Sequence, residues 1–389
     1  MKMILMTVVM VTVGVTLANA QTQKLPIERV WKFARQQLKQ TTTEWNDTVK
    51  YPKSTGPDGK WITSSIQYWT SGFFPGCLWY AIEESGDPIL RAGATRWTDG
   101  LESLQFYGGH HDIGFMVFCS YGNGYRLTKN KQYKDIVLQT ARTLMTRYNP
   151  TVGCIKSWDN RRWPYPVIID NMMNLELLFW ASQNGGTKDM YDAAFSHAVK
   201  TMQNHFRPDY STYHVIGYDS TTGGVLSKGT NQGYADSSCW ARGQAWAIYG
   251  FTMSYRFTKD PRFLQTAQRA ADYFISHLPG DYVPYWDFQA PGIPNEPRDV
   301  SAAAIASSAL FELSQYGGET HLKNKYREAA EKMLGSLCSE PYLAEGTTSH
   351  AILNHSVGSK PAKSEVDVSL IYADYYFLEA MHRYVRLQK

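Results

Sequence analysis

The chain has 389 residues, 39 of them Lys or Arg and 35 Asp or Glu; its net charge is +4, and its charged fraction of 19% lies below the roughly 25% usual in soluble chains. A basic nucleic-acid stripe and an acidic tail are excluded. The surplus is aromatic: 12 Trp, 26 Tyr and 16 Phe are spread along the chain, which excludes a disordered or low-complexity polypeptide.

The first residues read as a secretory signal peptide over 1–20. Lys2 is followed by the uncharged apolar run Met3 to Leu17, too short to span a bilayer comfortably, and Ala18-Asn19-Ala20 sets small residues before Gln21. Cleavage near Ala20 places the mature chain, 21–389, in the periplasm or outside the cell. No Cys follows the cleavage site to take a lipid anchor, and no later stretch reaches the length of a membrane span. Cys77, Cys119, Cys154, Cys239 and Cys338 are odd in number, lack C-x-x-C spacing and have no His at zinc-ligand distance in sequence. They predict buried thiols with at most one disulfide, and no metal site.

A lone helix is predicted from about Pro26 to Lys39, and from there one unit recurs. A polar or aromatic opener runs into a helix rich in Ala, Gly and aromatics, which breaks at a short turn and continues as an amphipathic helix. Trp69, Asp112, Asp170, Trp240 and Asp299 open five such pairs, and Asp367 opens a final half unit. Five pairs with one helix at each end make six hairpins, the all-α (α/α)6 barrel, as a single domain. The openers are unevenly spaced, so the connecting loops vary and should gather at one mouth. Inner helices should be apolar on nearly every side, as SAAAIASSAL (301–310) is, and outer helices should carry a polar stripe, as KDPRFLQTAQRAADYF does. An open helical solenoid is the alternative, against which the repeat number and the closing N-terminal helix argue. Strand-like runs are scarce; VPYWDF (283–288) makes at most a small hairpin over the mouth.

If every inner helix starts at one rim, the openers converge on one cavity. An Asp at such a position has an ordinary use as a helix N-cap, the reading preferred for Asp299 and Asp367. Asp112 follows His110-His111, and Asp170 sits in the apolar run VIID beside Asn171; apolar flanks raise a carboxyl pKa toward the range of a general acid. WARGQAW groups Trp240, Arg242, Gln244 and Trp246, which suits stacking on sugar rings and a fork for an anion; a structural cation–π contact or a salt bridge would use the same residues. His214 reads as a loop-surface residue, and His197 and His205 as helix-surface ones. No G-x-S-x-G elbow, H-E-x-x-H pair or phosphate loop is present. The residues alone describe an exported helical toroid with an aromatic, acid-lined mouth and one basic handle, fitted to a carbohydrate that bears a carboxylate.

Six stretches, WTSGFFPGCLWY, HDIGFM, VIIDNMMNLELLFWA, QGYADSSCWARGQAWAIYGF, DVSAAAIA and DVSLIYADYYFLEA, run in order through the mature chain and resemble glycoside hydrolase family 88, the unsaturated glucuronyl hydrolases. The resemblance implies an (α/α)6 barrel that uses no metal or organic cofactor. Its substrate would be an unsaturated uronic acid-containing oligosaccharide, left by a polysaccharide lyase. It implies Asp170 as general acid/base and Asp112 as a second acid at the ring hydroxyls. His111, His214, Gln232, Trp240, Arg242 and Trp246 match pocket residues, with Trp69 as a stacking wall. Ser356, Ser359 and Lys360 resemble a group that some members turn toward a sulfated partner sugar, and a solvated loop is the alternative for them. The reaction implied is hydration of the vinyl ether, to which the carboxyl-separation rule for glycosidases does not apply. Two other readings are a family 105-type unsaturated uronyl hydrolase on the same barrel and a noncatalytic sugar-binding protein; retention of both Asp112 and Asp170 argues against the second.

Overall fold

The computed structural model describes residues 25–45, 48–159 and 162–388; the segment 1–20, expected to be a signal peptide, lies outside them. After α1 (Ile27–Glu44) the helices come in pairs: α2 (Phe73–Ser85) with α3 (Pro88–Asp99), then α4 with α5 (Lys131–Met145). Helix α4 starts as Ile113–Val117, widens into a π turn over Phe118–Gly122 and finishes as Asn123–Thr128. Next come α6 (Leu175–Gln183), entered through a 3-10 turn at Ile169–Asn174, and α7 (Lys188–Asn204). The series ends with α8 (Ala241–Thr258) and α9 (Pro261–Ser276), α10 (Val300–Leu313) and α11 (Thr320–Leu337), and the closing α12 (Ile371–Arg386).

The even-numbered helices form the inner ring. Helices α8 and α10 are buried along almost their whole length, as expected for segments surrounded by others. Helix α12 packs on both α10 and α2, so the ring closes and the solenoid alternative fails. One hydrophobic core reaches from Ile27 to Tyr384. Close packing of inner helices needs small residues: a Cβ on Gly72, just before α2, would collide with the backbone of Met116 in α4. All five cysteines are buried free thiols.

Turn chemistry explains why three of the inner helices stop and an outer one starts almost at once. Gly86, Lys129 and Lys259 end α2, α4 and α8 in the left-handed conformation, with φ of 66°, 58° and 57°. Each is followed by Asp87, Asn130 or Asp260, whose side chain accepts a backbone N–H of the outer helix, and Pro88 and Pro261 supply a preset first position.

The return connections, from outer to inner helices, are long and carry the strands. The sequence expectation of scarce strands needs correction, because short pairs fill this rim: β1 (Lys50–Thr55) with β2 (Trp61–Ser65), β3 (Tyr148–Asn149) with β4 (Cys154–Ile155), and β5 (Tyr165–Ile168) with β6 (Val215–Tyr218) and β7 (Val225–Gly229) in one sheet. Last is β8 (Ser356–Ser359) with β9 (Ser364–Val368). They are two to six residues long and hold Pro and Gly, so no periodic signal marks them. Segment 283–288, for which a small hairpin is the upper bound, stays below it: Tyr285 and Asp287 make only single bridges, to Arg298 and Trp240. Asp367 is also corrected: it lies in β9, bonded to His355 at 2.6 Å, four residues before α12 begins.

At the opposite rim the C-terminal halves of the inner helices enclose a cavity of about 600 Å³ with charged walls. Two of its guanidinium groups bridge acids: Arg256 with Glu176 and Glu312, Arg383 with Glu312 and Glu379. Buried Glu379 on α12 accepts hydrogen bonds from Tyr80 on α2, Tyr249 on α8 and Ser308 on α10. Removing this carboxylate strands three hydroxyls and unbalances Arg383, so Glu379→Ala should lower stability by about 3–5 kcal/mol. The readout is a lower denaturant midpoint at unchanged slope, and Glu379→Gln, which keeps an acceptor oxygen, should lose less.

Candidate active site

The strand-bearing rim holds a cavity of about 570 Å³, within the range of small-ligand sites. Trp69, His111, Asp112, Asp170, Gln232 and Arg242 line it, so three of the six openers predicted to converge, Trp69, Asp112 and Asp170, do so, while Trp240, Asp299 and Asp367 do not line it.

Neither candidate acid serves as a helix cap. Asp112 precedes α4 without capping it; its carboxylate lies 3.3 Å from Asn174 Nδ2 and 3.3 Å from His111 Nε2. The orientation of Asn174 is fixed, because its Oδ1 accepts the Phe115 N–H at 2.9 Å. Asp170 stands in the 3-10 turn that leads from β5 into α6. Its place is set by backbone: β5 pairs with β6, and the Ile169 N–H donates to the His214 carbonyl at 3.0 Å, which sets residues 170 and 214 side by side. His214 Nε2 is 3.6 Å from Asp170 Oδ2, and neither atom has a hydrogen-bond partner.

Burial pushes the Asp170 carboxyl up to about 7, against the pull of the Arg242 charge; the Asp112 charge adds to the rise, while its backbone N–H and the Trp246 indole oppose it. At neutral pH this acid therefore holds a proton over a substantial fraction of molecules, as a general acid requires.

Arg242 realises both of its structural alternatives at once. It is 1% exposed, bonded to Asp299 at 3.0 Å, to Gly358 O at 2.6 Å and to Val357 O, and its guanidinium lies 4.4 Å from the Trp240 ring and 5.3 Å from that of Tyr372. Asp299 also caps α10 through the Ser301 N–H, so its N-cap reading holds. Trp69 rests on Phe73, Phe115 and Tyr372 as a wall of the cavity. Trp240 and Trp246 are buried behind it, Trp240 against the His214 ring at 4.6 Å and Trp246 against Phe115 and Tyr376. Gln232 donates to Gly358 O at 3.0 Å, which ties the 230–233 loop to β8.

Three readings of the residues change. His214 is 3% exposed and not a surface residue; His197 and His205, expected on helix surfaces, are fully buried, where they bond the Ile155 N–H and the Val167 carbonyl. Ser356, Ser359 and Lys360 do not line the cavity: Ser356 is buried in β8, and Lys360 is paired with Glu296 over the Trp286 ring. Sequence reasoning passed over Gln67, Tyr68, Trp158 and Asn231, which do line it. Trp158 stacks on Trp163 at 5.9 Å and 22°, and Arg162 covers Trp163 at 4.3 Å. The aromatic and arginine pattern SWDNRRWPY just before VIID was the available signal.

An (α/α)6 barrel with aromatic walls of sugar size and a carboxyl that keeps its proton near neutrality falls in the class of glycoside hydrolases. The family model of Glycosyl Hydrolase Family 88 matches residues 31–387, and the chain belongs to that family. It is 49% identical over 322 residues to the unsaturated glucuronyl hydrolase of Formosa agariphila, covering 81% of this chain and 79% of that one. It is 34% identical over 347 residues to the unsaturated chondroitin disaccharide hydrolase of Streptococcus pyogenes, with 86% of each chain covered. A crystal structure of an unsaturated glucuronyl hydrolase specific for heparin superposes with a TM-score of 0.90 at 45% identity, over 93% of this chain and 97% of that one.

A raised acid also costs stability. Between pH 3.8 and about 7 the folded protein keeps the Asp170 proton that the unfolded chain has released, so stability falls as pH rises through that window. Asp170→Asn removes the cost. Its advantage over wild type should be absent below the window, grow through it and level off above, at on the order of 4 kcal/mol; urea titrations at several pH values measure this.

Proposed function

We propose that the enzyme removes a 4,5-unsaturated uronic acid from the non-reducing end of lyase-generated oligosaccharides, glycosaminoglycan disaccharides foremost, by hydrating the C4–C5 double bond. The observation that carries the reading is the Asp170 carboxyl, raised to about 7 by burial and set in the wall of the cavity. Asp170 gives its proton to C4, and positive charge develops across C5 and the ring oxygen. The carboxylate then takes a proton from the water whose oxygen adds to C5. The resulting hemiketal breaks its bond between C5 and the ring oxygen, which leaves a ketone at C5 and a hemiacetal at C1 that expels the partner sugar. One water is consumed and Asp170 is regenerated. Asp112, which accepts from Asn174 and lies beside His111, would hold ring hydroxyls, and Trp69 would stack on the ring.

Export is part of the proposal: the 1–20 segment directs the chain to the periplasm or beyond, and N-terminal sequencing of mature protein should begin near Gln21.

Loss of the ultraviolet absorbance of the unsaturated uronyl group, on mixing with heparin, chondroitin, hyaluronan, ulvan and pectin lyase products, reads the reaction directly. Turnover of pectin products alone would favour the family 105-type reading, and binding without loss of absorbance the noncatalytic one. Asp170→Asn should abolish turnover with the fold intact, and kcat/KM of the wild type should decline as pH rises through about 7, where the acid loses its proton. Because Glu296 already takes the charge of Lys360, Lys360→Ala should leave the ratio of sulfated to unsulfated turnover within about twofold.

A further inference from the structure

We propose that His214 is a positioning residue for Asp170: the backbone of the 231–232 loop fixes its ring as the Nε2–H tautomer and aims that one proton at Asp170 Oδ2. The proposal rests on the reading of Asp170 as the acid.

The tautomer follows from the donors around the ring. Nδ1 of His214 accepts the backbone N–H of Asn231 at 3.1 Å and of Gln232 at 3.2 Å. A nitrogen that faces two donors offers its lone pair and carries no proton, so the hydrogen of the neutral ring sits on Nε2. The ring cannot turn away. Its backbone carbonyl is held by the Ile169 N–H, the next residue begins β6, and one face lies on Trp240. Nε2 then points at Asp170 Oδ2 across 3.6 Å, and both atoms are buried and otherwise unpartnered. That separation is slightly too long for a hydrogen bond and closes with a shift of a few tenths of an ångström, as catalytic contacts commonly do when substrate binds.

The chemical consequence is a division of labour between the two carboxyl oxygens. Oδ2 accepts from His214, which leaves Oδ1 to carry the transferable proton. When that proton leaves for C4, the same N–H faces a full carboxylate and its bond strengthens, so the contact favours the reaction over the ground state. His214 is no proton relay. Burial, assisted by the charge of Arg242, holds its ring down at about 3, so it stays neutral throughout. The groups that face this pair are Arg242 and Trp246 from α8, Trp240 just before it, His111 and Asp112 before α4, and His205 after α7. Asn231 and Gln232 also line the cavity, so the wall that meets the sugar is the wall that fixes the ring.

Two conservative variants separate the two ends of the imidazole. His214→Gln brings an amide N–H to the place of Nε2 and should keep kcat within about fivefold of wild type. His214→Asn keeps an acceptor for the loop but reaches no donor to Asp170. Its kcat should fall about ten- to a hundredfold, the worth of one hydrogen bond to a charged group, and its alkaline limb should move up by about one pH unit, because the carboxylate has lost a donor. A role confined to bracing the loop predicts the opposite order, and that order, or equal activity of the two at any level, overturns the proposal. Nitrogen-15 spectra of histidine-labelled wild-type protein read the tautomer without any substitution; a proton on Nδ1 of His214 overturns it as well. Full activity in Asp170→Asn would instead sink the reading of the acid on which the proposal rests.

Discussion

Glu379 gathers hydroxyls from three other inner helices onto one buried carboxylate and adds the guanidinium of Arg383 from its own helix. A charge placed among aromatic rings is tolerable only when its lone pairs are filled, and here the fillers are the neighbours that must be held together to close a ring. Closure by α12 depends on this contact set at one rim and on apolar packing along the rest. With the C-terminal ends of the inner helices gathered by it, their N-terminal ends are left to present loops. The direction of the chain does the sorting: short turns, three of them two residues long with an Asp or Asn cap, suffice at the gathered rim, and every long connection falls at the other.

Asp170 shows the opposite treatment of the same chemical group. Its Oδ2 is buried and has no donor, and the charges around it disagree, Arg242 lowering its affinity for a proton and Asp112 raising it. Burial decides the outcome and the acid stays protonated near neutrality. Strain of this kind persists because the backbone around it is over-determined: β5 pairs with β6, Ile169 is tied to His214, and Asn171 anchors to Ile155 O at 2.8 Å.

The sequence made the barrel legible because a hairpin repeat is written in composition, with Ala and Gly runs for inner helices and Asp-Pro or Asn caps for outer ones. Asp112 and Asp170 were legible through their neighbours, and Asp299 through its N-cap position. The limits are equally physical. Asp367 resembles Asp299 in the string DVS, but three-residue strings do not encode whether the next turn is a helix or a strand with positive φ, and Asp367 has a φ of 57°. His197 and His205 sit on or after a polar-looking outer helix, and only tertiary packing shows that one turns toward β4 and the other toward β5. Trp158 belongs to a loop whose role depends on where β5 carries it. The pairing of Lys360 with Glu296 joins residues far apart in the chain and leaves no local trace.

That pairing sharpens how a nearly neutral protein meets an anionic sugar. The two cations that the sequence offered as handles are both matched, Lys360 by Glu296 and Arg242 by Asp299, so attraction at long range is weak and recognition falls to contacts inside the cavity. In the proposed reaction Arg242 has two negative partners within the protein, Asp299 beside it and Asp170 once its proton has gone. Under the proposed reaction the carboxylate of a bound uronic acid adds negative charge to the cavity, and this drives the acid toward its protonated form. The anion that identifies the substrate in this way also helps keep the acid loaded until transfer to C4. After transfer, the positive charge on the sugar ring and the N–H of His214 take over the stabilisation of the carboxylate that Arg242 alone would supply poorly.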